Sequence, residues 1–216
     1  MCLGGPLKPH PRRVGHEAPS ARSQPHLRHD QPKAGRGQYL RGGESVLDAS
    51  RAHPEQASEI GKRLAEAAKI AKDKGLPGYV SLQPHYNLLE RPLFEGPLED
   101  ECVKEGIGVI PYWPLAAGFL SGKYRSEADL GKSPRGPGLK KYLNDKGLAV
   151  LKALDAAGKK HNASNVTVAL AWLMQRKSIT APIVSATSLE QLKTLIAAPA
   201  LKLDAESVAA LDKASA

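Results

Sequence analysis

Helical and strand patterns alternate strictly from residue 59 onward, and this alternation is the tightest constraint on what the chain can become. "EIGKRLAEAAKIAKDKGLPG" spaces Ile60, Leu64, Ala67, Ala68 and Ala71 along one helical face, and Gly75 and Pro77 stop that helix. "YVSLQ" then reads as a short strand. "PLEDECVKEG" predicts a helix ending at Gly106. "IGVIPYWPL" is a continuous apolar run, as expected of a strand buried on both faces of a parallel sheet. A loop rich in Gly, Ser, Lys and Arg follows, from Ala117 to Gly138. "KGLAVLKALDAAGKKH" and "NVTVALAWLMQRKS" predict two further helices, "TAPIVSA" a third strand, and "SLEQLKTLIAAP" the helix after it. "DAESVAALDKAS" closes the chain as a helix with Asp204 as its N-cap. Such alternation belongs to α/β proteins with a parallel sheet. Three strands are countable, whereas a closed (β/α)8 barrel needs eight in roughly 250 residues. Only 158 residues follow residue 58. The ordered part is therefore a small open α/β domain or a piece of something larger.

The first 58 residues have a different texture. They hold seven Pro, seven Gly and seven Arg but only eight residues from Val, Ile, Leu and Met, and no helical or strand period survives there. Such a stretch buries too little apolar surface to offset its ordering entropy, so residues 1–58 are expected to be disordered. The formal net charge of the whole chain is +9. The excess is not gathered into a basic run with interleaved aromatics, which argues against nucleic-acid binding. Cys2 and Cys102 have no CxxC partner, which excludes a metal or redox motif and points to a reducing, cytoplasmic setting. No apolar run approaches ~18 residues and the start carries no apolar core of a secretory signal, so neither a membrane span nor secretion is expected.

Three strand-end motifs then stand in order: "VSLQPHYNLLER", "IGVIPYWPLAAGFLSGKY" and "APIVSATSLEQL", with "VTVALAWLM" between the last two. Together they resemble the C-terminal half of the aldo-keto reductase family over about residues 59–216. The resemblance implies a partial (β/α)8 TIM barrel of that type, contributing its last three strands and their helices. It also implies NADP(H) bound in extended form at the C-terminal ends of the strands, and reduction of a small-molecule aldehyde or ketone. The "SATS" form is similar to the bacterial NADPH-dependent branch.

Residue roles follow from the same resemblance. Gln83 would hydrogen-bond the nicotinamide carboxamide, since a neutral amide offers the donor and the acceptor required. Tyr112 would stack on the nicotinamide, a flat aromatic face suiting a planar heterocycle. Trp113 stands where the family has a small residue. Pro114 and Leu115 would set the loop that wraps the pyrophosphate, with Gly118 and Gly122 permitting close approach. Ser121 and Lys123 would meet phosphate oxygens, with Lys132 and Arg135 as weaker candidates in the same loop. Thr187, Ser188 and Gln191 match residues that hold the adenosine 2′-phosphate at a helix start, where Ser188 and Gln191 have capping-box spacing. Ser185, Thr194 and Leu195 depart from the adenine-contacting pattern. His85 occupies a variable place in the motif and is read as a bystander, while Tyr86 and Asn87 brace the loop.

The family's catalytic Asp, Tyr, Lys and His come from the first half of its barrel, so no catalytic residue is assigned here and the chain by itself is expected to be inactive. The abrupt change near residue 58 suggests that residues 1–58 are read out of frame, or come from a mis-set gene start, joined to a half barrel. Three strands would leave an open edge, through which association with another chain is expected. Two other functions remain open: a non-catalytic nucleotide-binding or partner-completing half barrel, and a basic protein with an anion-binding tail.

Overall fold

β3 (Tyr79–Pro84) is the strand on which the sheet is built, with a parallel neighbour on each side. The computed structural model describes Gly37–Tyr39, Ser45–Ala49 and residues 54–216, with side chains from Ala57 onward. These residues fall within one compact unit, Lys33–Ala216. The sheet has the order β1 (Gly37–Tyr39), β2 (Ser45–Ala49), β3, β4 (Gly108–Val109). β1 and β2 are antiparallel; β2, β3 and β4 run parallel. α1 (Pro54–Lys74) connects β2 to β3 and α2 (Pro97–Glu105) connects β3 to β4. This is the expected alternation of a parallel α/β sheet.

The sheet reaches into the segment read as disordered. β1 and β2 lie there, and α1 begins at Pro54 instead of residue 59. The five residues of β2 carry no period-2 pattern of their own, and pairing with β3 is what makes them a strand. The rest of residues 1–53 lie outside the described residues.

The helix ends behave as their sequence dictates. α1 stops where Gly75 takes a left-handed φ of 61°, and α2 stops at Gly106 in the same conformation. α1 and α2 approach closely at Gly61, where an added Cβ would stand 3.2 Å from the Pro97 carbonyl oxygen. α3 (Asp145–His161) is capped by Asn144, α4 (Asn165–Met174) by Ser164 and α6 (Ala205–Ala214) by Asp204. α4 is the inner helix, burying every residue from Thr167 to Leu173. It packs into a core with Leu82, Val109, Phe119, Leu151, Leu154 and Leu211. Each such side chain contributes about 1.5–3 kcal/mol by leaving water.

Two strand expectations need correction. The apolar run from Ile107 is not a continuous strand: regular pairing covers Gly108–Val109, and Trp113 turns away with a φ of 51°. Its ladder to β3 continues as Ile110 N–H to Leu82 O and Tyr112 N–H to Pro84 O and goes no further, since Pro114, the next residue in that alternation, lacks the donor. The third strand, "TAPIVSA", is reduced to a bridge between Ile179 and Val109 and to a few hydrogen bonds: Thr180 N and Ala181 N donate to Val109 O, Ile183 N donates to Pro111 O, and Val109 N donates to Thr180 Oγ1. Pro182 removes a donor, and the backbone beyond Ile183 has no strand partner among the described residues. The loop from Ala117 to Gly138 is organised by 3-10 turns over Ala116–Ser121, Glu127–Lys132 and Gly136–Tyr142. α5 (Leu189–Ile196) follows and buries none of its residues. Among the described residues no helix is long and apolar enough to cross a membrane.

Candidate functional site

The C-terminal end of β3 carries the first expected residues. Alternation along the strand buries Leu82 and Pro84 on one face and leaves Ser81, Gln83 and His85 half-buried on the other. Among the described residues no hydrogen bond holds the Gln83 side chain. His85 bridges in parallel to Tyr112, so the register that joins β3 to β4 also brings the Gln83 and Tyr112 motifs together.

After Pro84 the chain turns, and Asn87 controls the turn. Its side chain is wholly buried. Asn87 Oδ1 accepts from Leu89 N at 2.8 Å and Glu90 N at 3.2 Å, while Nδ2 donates to Trp113 O at 2.9 Å. Tyr86 is equally buried, donates its hydroxyl to Glu95 at 2.7 Å, and packs its ring against Phe94 and Trp172. Both residues brace the loop as their sequence position suggests.

The loop after Tyr112 has an unusual backbone. Trp113, Ala116 and Ala117 all take left-handed φ values near 50°, as do the glycines at 118 and 122 with larger ones. A non-glycine residue there costs about 1–2 kcal/mol, and the Asn87–Trp113 bond is one contact that holds the shape. Pro114 is buried and Leu115 half-buried against the core. Gly122 is required by space as well as φ, since a Cβ there would lie 2.8 Å from Asn165 Nδ2. Ser121 spends its proton on Gly118 O at 2.7 Å, leaving the hydroxyl oxygen only as an acceptor. Lys123 is exposed with its Nζ 5.0 Å from the Tyr124 ring centre. Lys132 is engaged with Asp129 and with the Lys123 carbonyl, and Arg135 is exposed.

At the start of α5 the capping box forms in a shifted version. Ser188 Oγ accepts from Gln191 N at 3.2 Å as expected, but Gln191 Oε1 accepts from Thr187 N and Thr187 Oγ1 instead of from Ser188 N. Thr187, Ser188 and Gln191 are exposed and grouped with each other. The Ile183–Pro111 hydrogen bond carries the chain from the end of β4 toward them. No hydrogen bond joins them to Gln83 or to the 114–123 loop.

Two features had no signal in the sequence. Glu90 accepts from the Tyr142 hydroxyl at 2.7 Å and from Lys141 at 3.0 Å, a grouping across some fifty residues. Burial would raise the Glu90 carboxyl, but those hydrogen bonds outweigh it and hold the group below its ordinary value. The imidazole of His85 is stacked on Tyr112 and is held below its ordinary pKa by burial. Among the described residues no group of three or more His, Cys, Asp or Glu could hold a metal. A cavity of about 230 Å³ lined by Leu64, Ala68, Gly78, Tyr79 and Ile107 lies at the N-terminal end of β3, remote along the strand from Gln83.

Residues 56–216 match the model of the aldo/keto reductase family. The chain is 30% identical over 150 residues to an aryl-alcohol dehydrogenase of Pestalotiopsis microspora, which covers 69% of this chain and 38% of that protein. It is 31% identical over 138 residues to the L-glyceraldehyde 3-phosphate reductase of Escherichia coli O157:H7, covering 61% and 40%. It is 33% identical over 147 residues to the uncharacterized oxidoreductase YrpG of Bacillus subtilis (strain 168), covering 68% and 43%. The chain spans less than half the length of these relatives.

Proposed function

The chain belongs to the aldo/keto reductase family, and on that premise we propose that the ends of β3 and β4 and the start of α5 hold NADP(H) for reduction of an aldehyde or ketone. The observation that carries this reading is Gln83. Its amide sits half-buried at a strand end with no hydrogen-bond partner among the described residues, and the next strand brings Tyr112 alongside. A carboxamide needs the donor and the acceptor that this amide offers. The Tyr112 ring gives the planar heterocycle a face to stack on. The left-handed loop at Ala116–Gly118 and Gly122 lets backbone approach a phosphate, and the Ser188-capped start of α5 turns N–H groups toward an anion. When bound, the cofactor supplies the hydride.

On this reading the parallel β3, β4 and the segment from Ile179 are neighbouring staves of a partial (β/α)8 barrel, with Ser81, Gln83 and His85 on its inner face. Two phenols among the described residues are withdrawn from service as an acid for the carbonyl. The hydroxyls of Tyr86 and Tyr142 are donated to Glu95 and Glu90, and burial together with those carboxylates pushes both phenols well above their ordinary range. We therefore read the isolated chain as cofactor-binding and inactive, in a reducing, cytoplasmic setting that suits the buried free thiol of Cys102. Titration of the full chain against NADPH, followed by nicotinamide fluorescence, tests this. Saturable binding, weakened roughly tenfold in Gln83→Ala, is expected. No saturable signal sinks the cofactor reading, and turnover of a generic aldehyde sinks the inactivity.

A second reading, a non-catalytic half barrel that completes a partner, is favoured by one observation. Ile183, Val184, Leu189, Leu192 and Ile196 are all exposed along the unpaired edge and on α5.

A further inference from the structure

His85 fills the angle between two aromatic rings. Its ring is stacked on Tyr112, with centroids 5.0 Å apart and planes inclined by 30°. It meets Trp113 edge-on, at 5.4 Å and 86°. Tyr112 and Trp113 lie 5.7 Å apart at 59°, so the three rings form one corner. The backbone holds this corner from two directions. His85 and Tyr112 are bridge partners across the parallel register. Trp113, a residue 55% exposed, is pinned through its carbonyl by Asn87 Nδ2, and that same nitrogen stands 3.4 Å from His85 Nε2. Burial lowers the pKa of the imidazole; the Glu90 carboxylate opposes this and the Lys141 ammonium adds to it. The ring is therefore neutral at pH 7, and a neutral ring packs flat on a phenol without the cost of burying a cation.

We propose that His85 is a positioning residue that holds the Tyr112 ring at a fixed tilt, and so sets the plane on which the nicotinamide heterocycle stacks. The proposal rests on the cofactor reading above. An aromatic ring free to change its tilt makes a ligand that needs one tilt bear the cost of ordering it, and each contact that fixes the ring lowers that cost. His85 makes that payment in advance by occupying the space behind the ring. Contact with the cofactor belongs to Tyr112; His85 acts through it.

The test uses the full chain and three variants, His85→Ala, His85→Phe and Tyr112→Ala. Two readouts are taken: near-UV circular dichroism without ligand, which reports the fixed environment of Tyr112 and Trp113, and NADPH fluorescence titration. His85→Ala is expected to lose aromatic ellipticity and to weaken NADPH roughly three- to tenfold, the range of one aromatic pair. His85→Phe, which keeps a flat ring, is expected to restore both. Unchanged affinity in His85→Ala, while Tyr112→Ala weakens binding, overturns the proposal and leaves the cofactor reading standing. Failure of His85→Phe to restore binding also overturns it. If the unmodified chain binds no NADPH, the cofactor reading fails instead. The ligand-free spectra then decide alone: a signal lost in His85→Ala and regained in His85→Phe keeps His85 as the support of Tyr112, and an unchanged spectrum removes it.

Discussion

Asn87 shows how much a single residue can organise here. It is wholly buried and serves three backbone groups at once, Leu89 N, Glu90 N and Trp113 O. Asn87→Ala strands all three and is expected to cost about 2–4 kcal/mol, measured by urea denaturation. Asn87→Asp keeps the acceptor but turns a second oxygen toward the Trp113 carbonyl, so it is expected to recover only part of that loss. Glu90 and Glu95 bring a pH dependence. Burial would raise both carboxyls; hydrogen bonds from Tyr142 and Lys141 to Glu90, and from Arg91 and Tyr86 to Glu95, outweigh it and lower them. A carboxyl lowered in the folded state contributes stability above its unfolded pKa of about 4.3, and that stability is lost as pH falls through the folded value. Unfolding free energy is therefore expected to fall first as pH drops below about 6.5, where the buried His85 stays neutral while an unfolded histidine takes a proton, and to fall further below about pH 4.5 as the two carboxylates are protonated. Glu90→Gln flattens that fall if the assignment is correct, and an unaltered profile refutes it. The bracing role of Asn87 was legible from its motif. The partners of Glu90 were not, because Lys141 and Tyr142 arrive from a loop some fifty residues away.

At the scale of elements, α6 and α5 make opposite cases. α6 is fastened by Asp212, which accepts from Trp172 Nε1 at 2.9 Å and pairs with the Arg176 guanidinium, while Arg91 donates to Asp212 O and Ser215 Oγ. Arg176 also lies over the Trp172 ring at 4.3 Å. Asp212→Ala leaves the guanidinium with its buried Nε still unpaired. It is expected to cost about 1–3 kcal/mol, the partial exposure of the pair reducing the value for a buried one. The loss is expected as faster amide exchange in α6. α5 has no buried residue and is tied to α4 by a hydrogen bond from Thr167 Oγ1 to Thr194 O, besides its own cap. Amide exchange is expected to be faster in α5 than in α4, whose residues from Thr167 to Leu173 are all buried. Protection of α5 equal to that of α4 contradicts this, or shows the helix covered in solution. The caps of α5 and α6 were readable because a cap bonds three residues ahead. The reduction of "TAPIVSA" to a bridge was not, because its strand character depends on a neighbour on the far side.

For the molecule as a whole, the backbone beyond Ile183 has no strand partner among the described residues, and α5 exposes apolar side chains. Leu189, Leu192 and Ile196 recur at helical spacing and are 45–65% exposed. Apolar surface of this kind marks an association site. The full chain is expected to sediment as more than a monomer, and Ile183→Lys with Leu192→Lys to shift it toward the monomer; a chain monomeric from the outset discounts the half-barrel reading. The sequence by itself determined the order of the helices α1 to α6, the caps of α5 and α6, the glycine stops and the family motifs. Each of these is written within a few consecutive residues, where a hydrogen bond or a φ constraint acts locally. Only the tertiary structure decided that Ser45–Ala49 joins the sheet, that His85 lies behind Tyr112 and that Asp212 anchors α6. Those contacts join residues 27 to 40 or so positions apart, and strand register and helix docking, which no local pattern encodes, bring them together.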